Sequence, residues 1–133
     1  MMKEQVIDEL KGYISMIESF DKDSAQDADA LHAYLIQLTN YMARANFLMA
    51  EWSKVFREEK RKAYLSLKAS EAAQGNKNLS PLLAKDYVNS CCSESGYVYD
   101  LAERTSRLCT HTGEFVRSIL SSLKSERQFA SYA

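Results

Sequence analysis

The stretch LHAYLIQLTNYMARANFLMAEWSKVF, residues 31–56, decides the fold of this chain. Apolar residues recur along it at alternating steps of four and three, at Leu31, Leu35, Leu38, Met42, Ala45, Met49, Trp52 and Phe56. This seven-residue repeat is typical of a helix that packs against another helix. Because no Gly or Pro interrupts residues 27–74, the pattern predicts one long helix over about residues 25–73.

A shorter helix precedes this segment. Residues 2–20 carry apolar side chains at steps of three and four, which predicts a first helix with one apolar stripe. Ser24, followed three positions later by Asp27, resembles a capping box. We therefore expect the second helix to begin near Ser24.

A turn and a third helix follow the long segment. Residues 75–78 are turn sequence, and Ser80 with Pro81 is typical of a helix start. The pattern beyond predicts a helix over about residues 80–127. Gly96 is the position where we expect a break or a close crossing, since Gly costs about 1 kcal/mol in a helix interior.

Length and composition indicate one globular domain, residues 1–133. With 46% hydrophobic residues, 26% charged residues and one Pro, the chain is neither a disordered tail nor a low-complexity repeat. It lacks the run of about 18 apolar residues that a membrane span needs, and its first residues do not resemble a signal peptide. We expect a cytoplasmic protein with no membrane contact.

Charge is distributed unevenly along the chain. Residues 1–30 hold three Lys and eight acidic residues, a balance of −5, whereas residues 31–133 have a balance of +4. An acidic first segment packed along a mildly basic body explains this distribution. A nucleic-acid surface on the body is the alternative, although a dedicated binder is usually more basic than a sequence pI of about 6.1.

These elements predict an all-α fold, an elongated helical bundle with a long antiparallel helical hairpin and a shorter N-terminal helix. Folding the hairpin at its turn places Trp52 near Leu101 and Leu38 near Phe115. The first helix is less than half as long as either arm, so we expect it to cover only the end distant from the turn. The half nearer the turn would then stay uncovered, including Tyr64, Leu65 and Tyr87.

Two helices cannot bury so wide an apolar surface, and an exposed patch of several hundred Å² usually marks an interface. We therefore predict self-association, most simply as a homodimer that resembles a four-helix bundle. The residues expected at this interface are Phe47, Trp52, Phe56, Tyr97 and Leu101. The alternative is a chain that folds back on itself near Gly96.

Side chains for metal or cofactor chemistry are scarce. Cys91 and Cys92 lie about 26 Å from Cys109 along a continuous helix, so no intrachain disulfide is expected. No CxxC, HxxxH, GxSxG, HExxH or Walker motif is present. We expect no metal, no cofactor and, by preference, no enzymatic activity.

One segment of the third helix carries a weak catalytic signal. Arg104 and His111, separated by six residues, resemble the RNase motif of small helical HEPN domains. That resemblance implies phosphate binding by the arginine and general-base chemistry by the histidine. The simpler interpretation is a polar stripe whose arginines pair with neighbouring acidic residues.

The same helix offers a set of basic side chains for binding. The set consists of Arg104, Arg107, Arg117, Lys124 and Arg127, with His111 between them. Together with Tyr97 and Tyr99, these residues suit single-stranded nucleic acid, whose bases stack on aromatic rings. A solvated helix face with tyrosines at the edge of the core is the alternative.

Two stretches resemble a family of small all-helical proteins encoded by bacteriophages and prophage-like elements of gut bacteria. The carboxy-terminal stretch is ERTSRLCTH, residues 103–111, followed by Arg117 and SSLKSE, residues 121–126. The middle stretch is YMARANFLMAE, residues 41–51, with the Leu-Ser-Pro turn at residues 79–81. The resemblance covers roughly residues 41–126.

The resemblance implies a phage or prophage accessory protein without an assigned activity, encoded among replication and recombination genes. It carries over to the polar positions Arg104, Arg107, Thr110, His111, Arg117 and Lys124. This chain departs from the family pattern at Thr112, where Gln is common. We therefore expect a non-enzymatic accessory protein that acts through self-association and contacts with other proteins, with a link to DNA replication or recombination.

Overall fold

The computed structural model describes residues 2–20, 27–75 and 79–132. These residues form four helices and no strand, which confirms the all-α hairpin fold. The helices are α1 (Lys3–Glu18), α2 (Ala28–Gln74), α3 (Pro81–Cys91) and α4 (Ser93–Tyr132). In the described residues, no helix has the length and apolar content that crossing a membrane requires.

Local signals define both ends of α2. The Asp27 carboxylate accepts hydrogen bonds from the backbone N–H groups of Asp29 and Ala30, so Asp27 caps the helix. The helix ends at Gly75, whose φ of 64° lies in the left-handed region that favours glycine. The predicted start at Ser24 lies outside the described residues.

Helices α2 and α4 pack antiparallel and form the body of the molecule. Ser106 donates a hydrogen bond to Asn46 at 2.5 Å, and Thr110 contacts the Met42 sulfur at 3.4 Å. The predicted alignment of Leu38 with Phe115 places residue 47 opposite residue 106. The register of the hairpin was therefore predicted to within one residue.

Two apolar clusters make up the core. The first contains Val6, Leu10, Ala45, Leu48, Val98 and Ala102. The second contains Ile17, Leu31, Tyr34, Leu38, Cys109 and Val116. Because each cluster combines residues of α1, α2 and α4, the body is a three-helix bundle rather than a bare hairpin.

The position of α1 corrects one prediction. This helix was expected to leave Trp52 and Leu101 uncovered, but both pack against the cluster that contains Val6 and Leu10. The amino end of α1 reaches far along the body, where Lys3 pairs with Glu94. Helix α1 therefore lies along the middle of the body and not only at the end distant from the turn.

The third helix is divided, which corrects the prediction of one helix over residues 80–127. Ser80 caps α3 by accepting the backbone N–H of Leu83, and the helix stops at Cys92 (φ −115°, ψ 22°). Gly96 lies within α4, where a Cβ atom would be 3.1 Å from the Phe56 ring. Gly96 is therefore a close crossing and not the break.

Candidate interaction surfaces

A small polar cluster fastens α1 to α2. Arg44 donates to the Glu9 carboxylate through Nε at 2.7 Å and Nη2 at 3.2 Å. The Tyr13 hydroxyl donates to the same carboxylate, and its ring stacks on Tyr41 with centroids 4.5 Å apart. The Arg44 hydrogen bond lowers the pKa of Glu9, whereas burial and the Glu9 contact raise the pKa of Tyr13 to about 12.

The side of the body opposite α1 carries a series of open grooves. One of about 310 Å³ lies at the end distant from the turn, one of about 120 Å³ follows, and one of about 410 Å³ lies between α2 and α3. The basic side chains that line them are His32, Lys60, Lys68, Lys85, Arg117, Lys124 and Arg127. None of the described lining residues is a carboxylate, so this side attracts anionic groups.

Three of the predicted binding residues lie on the outer side of α4, away from α2. Arg104 and Arg107 are exposed, and Arg107 donates to Glu103 at 2.5 Å. The side chain of His111 is 70% exposed, with Nδ1 3.8 Å from the Glu114 carboxylate. These residues occupy an open helix surface, and RNA cleavage by Arg104 and His111 stays a prediction.

The other two predicted binding residues line grooves. Arg117 lies beside Gly113, where a Cβ atom would be 3.6 Å from the guanidinium, and Lys124 shares a groove with His32. Tyr97 lies on the side that carries α1, in a groove with Lys3. The predicted pairing of Tyr97 with Arg117 and Lys124 on one nucleic-acid surface is therefore wrong.

Aromatic rings on the basic side come instead from α2. Lys60 lies over the Phe56 ring at 4.4 Å from its centroid, and Lys68 lies over the Tyr64 ring at 5.5 Å. Sequence reasoning missed Lys60 and Lys68 as members of a binding surface. The signal was present, because residues 56, 60, 64 and 68 recur every four positions and share one helix face.

In the hairpin tip, residues 63–75 and 79–91, a buried carboxylate links the two arms. Glu71 is 8% exposed and accepts hydrogen bonds from the Leu79 backbone N–H at 3.2 Å and from Lys68 at 3.3 Å. The bond from Leu79 joins α2 to the chain that enters α3, whereas the bond from Lys68 lies within α2. The carboxylate thus holds the two arms of the tip together.

Large apolar side chains are exposed on this tip. They are Tyr64 (48%), Leu65 (53%), Leu79 (39%), Leu82 (69%), Leu83 (56%) and Tyr87 (49%). Only Ala84 and Val88 of α3 are buried among the described residues of that helix. Sequence reasoning missed Leu82 and Leu83, although two adjacent leucines cannot both face a single partner helix.

The five residues predicted for self-association differ in exposure. Phe47 is 53% exposed and Tyr97 is 47% exposed. Trp52 and Leu101 are partly buried under α1, and Phe56 packs against Gly96 and Tyr99. The centre of the uncovered apolar surface is therefore the hairpin tip and not the Trp52–Leu101 region.

The cysteines are unpaired, as expected from their separation. Cys91 is exposed, while Cys92 and Cys109 are buried. Burial raises the pKa of both buried thiols. Across the described ranges, no group of three or more His, Cys, Asp or Glu side chains is placed to hold a metal ion.

Comparisons with known proteins provide no relative. No protein-family model matches the chain, and neither the curated proteins nor the solved structures contain a significant match.

Proposed function

We propose that this protein is a non-enzymatic accessory protein that acts through contacts with itself and with other proteins. The carrying observation is the exposed apolar surface of the hairpin tip, where six large side chains are between 39% and 69% exposed. Large apolar side chains that are exposed together at one end of a molecule are typical of a surface that another molecule covers. A phage or prophage origin, with a link to replication or recombination, is proposed on the resemblance of residues 41–126.

The state of the cysteines suits a protein that acts in a reducing compartment. All three cysteines are free, and Cys91 is exposed to solvent. Disulfides are rare in the cytosol, where thiols are kept reduced. We therefore propose the cytoplasm as the site of action.

Light scattering on a gel-filtration peak tests self-association. We expect the mass of a dimer or larger species at high micromolar concentration and a decrease toward the monomer mass on dilution. A monomer throughout would overturn self-association. Contacts with other proteins would then have to be sought by crosslinking in the native host, and their absence there would overturn the proposal altogether.

Binding of single-stranded nucleic acid is a second candidate function. It rests on the basic grooves opposite α1, whose charged lining residues include Lys60, Lys68, Arg117 and Lys124. The ring of Tyr64, which is 48% exposed, lies beside Lys68. Cations that follow a groove and aromatic rings that stack on bases are the usual elements of such binding.

Fluorescence anisotropy with a labelled single-stranded oligonucleotide tests this candidate. We expect affinity to fall steeply as salt rises, because phosphate contacts release counterions. Lys124→Glu should weaken binding, whereas Lys62→Glu should not, since Lys62 lies in the groove beside Lys3. Undetectable binding at low salt, or equal effects of the two substitutions, would dismiss the candidate.

A further inference from the structure

The groove of about 410 Å³ between α2 and α3, here called the tip groove, has an apolar lining. Two of its lining residues are buried, Ala84 at 5% and Val88 at 7% exposure, and they form the floor. Leu79 and Pro81, where the chain enters α3, add apolar surface at one end. The tip groove therefore offers an apolar floor that is open to solvent.

The charge around this floor is of one sign. None of the described lining residues of the tip groove carries a carboxylate, whereas three are lysines, Lys60 and Lys68 on α2 and Lys85 on α3. Lys68 lies 3.3 Å from the buried Glu71 carboxylate. Lys60 and Lys85 have no carboxylate within ion-pair distance among the described residues. Because like charges around one groove repel each other, the lysines favour an anionic occupant.

The body of the molecule shows which element fills a groove between two of these helices. Helix α1 packs against α2 and α4 and buries Val6, Leu10 and Ile17 between them. It contains two Lys and four acidic residues, and its Glu9 pairs with Arg44 of α2 at 2.7 Å. The groove on the body thus holds an acidic amphipathic helix whose carboxylate meets a cation of α2.

We propose that an acidic amphipathic helix of a partner protein docks in the tip groove, with apolar side chains on Ala84 and Val88 and carboxylates at Lys60 and Lys85. The inference deepens the proposed function, because it rests on contacts with other proteins and names the chemistry of one partner. An amphipathic helix that lays its apolar face into a groove is a recurring mode of protein recognition.

The spacing of the lysines suits such a helix. Lys60 and Lys68 lie eight positions apart on α2, which is about 12 Å along the helix axis. Two acidic residues that are two turns apart on the partner are separated by about 11 Å, so their carboxylates reach both lysines at once. An apolar residue between them would lie beside Tyr64, whose side chain is half-exposed midway between the two lysines.

The lining of the tip groove favours a protein helix over nucleic acid. Phosphates and sugars gain little from the apolar floor, and Tyr64 is the single aromatic residue in the described lining, so successive bases would have one ring to stack on. An apolar side chain on Ala84 and Val88 instead removes apolar surface from water on both molecules. The open shape also suits a segment of a larger molecule, because pockets for small ligands enclose most of the ligand surface.

Fluorescence anisotropy of full-length protein with two labelled peptides tests the proposal. The first peptide, about 15 residues long, has Leu at steps of three and four and Glu residues two turns apart beside the Leu stripe. The second peptide has the same composition in an order that destroys the stripe. We expect the first peptide to bind with an affinity that decreases as salt rises, and the second to bind at least about tenfold more weakly.

Two matched pairs of exposed positions locate the bound peptide. Lys85→Glu should raise the dissociation constant of the first peptide at least about fivefold, whereas Lys62→Glu should change it less than about twofold, since Lys62 lines the groove beside Lys3. Tyr64→Ala should raise it at least about threefold. Tyr87→Ala should not, because Tyr87 is as exposed as Tyr64, 49% against 48%, but does not line the tip groove. Far-UV circular dichroism should show that all four variants keep the helical fold.

Equal binding of the two peptides would show that the lysines attract any acidic chain and would overturn the proposal, as would equal effects within either pair of variants. A labelled oligo-dT that binds and responds to Lys85→Glu, together with no binding of the first peptide, would assign the tip groove to nucleic acid. Peptide binding does not depend on self-association. Its absence would therefore overturn the docked helix alone, whereas light scattering and crosslinking decide the proposed function.

Discussion

Substitution of Leu10 by Ala tests the observed position of α1. Leu10 is fully buried in the cluster with Val6, Ala45, Leu48 and Val98. Removing three carbon atoms from this site loses roughly 2.4 kcal/mol of transfer free energy at about 0.8 kcal/mol each. A residual void of roughly 60 Å³ adds about 1.4 kcal/mol. We therefore expect the free energy of unfolding to fall by about 3 to 4 kcal/mol.

Urea denaturation followed by tryptophan fluorescence and far-UV circular dichroism measures this loss. Trp52 is the single tryptophan and packs against the Leu10 cluster, so its emission reports on that contact. Met16→Ala in the same helix is the control, since Met16 is 50% exposed and we expect a change within about 0.5 kcal/mol. A Leu10→Ala loss no larger than that of the control would refute the position of α1.

Two further predictions concern glycine and tyrosine. Gly12→Ala adds a Cβ with no atom within 4 Å and should stabilise α1 by up to about 1 kcal/mol. Gly96→Ala places a Cβ 3.1 Å from the Phe56 ring and should lose that gain. Equal shifts in the thermal unfolding temperature of the two variants would contradict the close crossing. The pKa of Tyr13 is about 12 in the folded protein, against an ordinary value of 10.0. The contribution of this difference to stability is fully present below pH 10 and is lost as pH rises from 10 to 12. Unfolding free energies across this range should fall more steeply for wild type than for Tyr13→Phe, and identical slopes would show that burial and the Glu9 contact do not raise the pKa of Tyr13.

Local patterns predicted much of the helical architecture. The seven-residue repeat from Leu31 to Phe56 and the uninterrupted chain to Gln74 are properties of a single helix, and α2 follows them closely. Ser80 and Pro81 act within one turn of chain, and α3 begins at Pro81. The all-α class and the hairpin register were predictable because they depend on residues that are neighbours in sequence or related by one turn.

The division of the third helix was not predictable in the same way. Glycine weakens a helix locally, so Gly96 was the expected break, but the helix stops at Cys92. Gly96 is helical because the Phe56 ring, which lies 40 positions earlier in the chain, packs against its bare backbone. A contact between distant segments therefore reversed a local preference.

The candidate surfaces show the same difference between what local spacing predicts and what contacts between distant segments decide. Arg117 and Lys124 lie seven positions apart, so helical spacing puts them on one side of α4, but it does not reveal that Tyr97 lies on the side that carries α1. That assignment depends on which flank of the hairpin the first helix covers. The exposed apolar tip was predictable in part, through Tyr64, Leu65 and Tyr87, since two helices alone cannot bury a wide stripe.

The sequence by itself determined that the chain forms long amphipathic helices, where they turn and how the two arms align. Only the tertiary structure decided where α1 lies, and therefore which apolar side chains are buried and which grooves stay open. The physical reason is that apolar burial is non-directional, so the stripe of Val6, Leu10 and Ile17 suits many positions along the hairpin. The choice among them comes from specific contacts, namely the Glu9–Arg44 ion pair, the stacking of Tyr13 on Tyr41 and the pairing of Lys3 with Glu94.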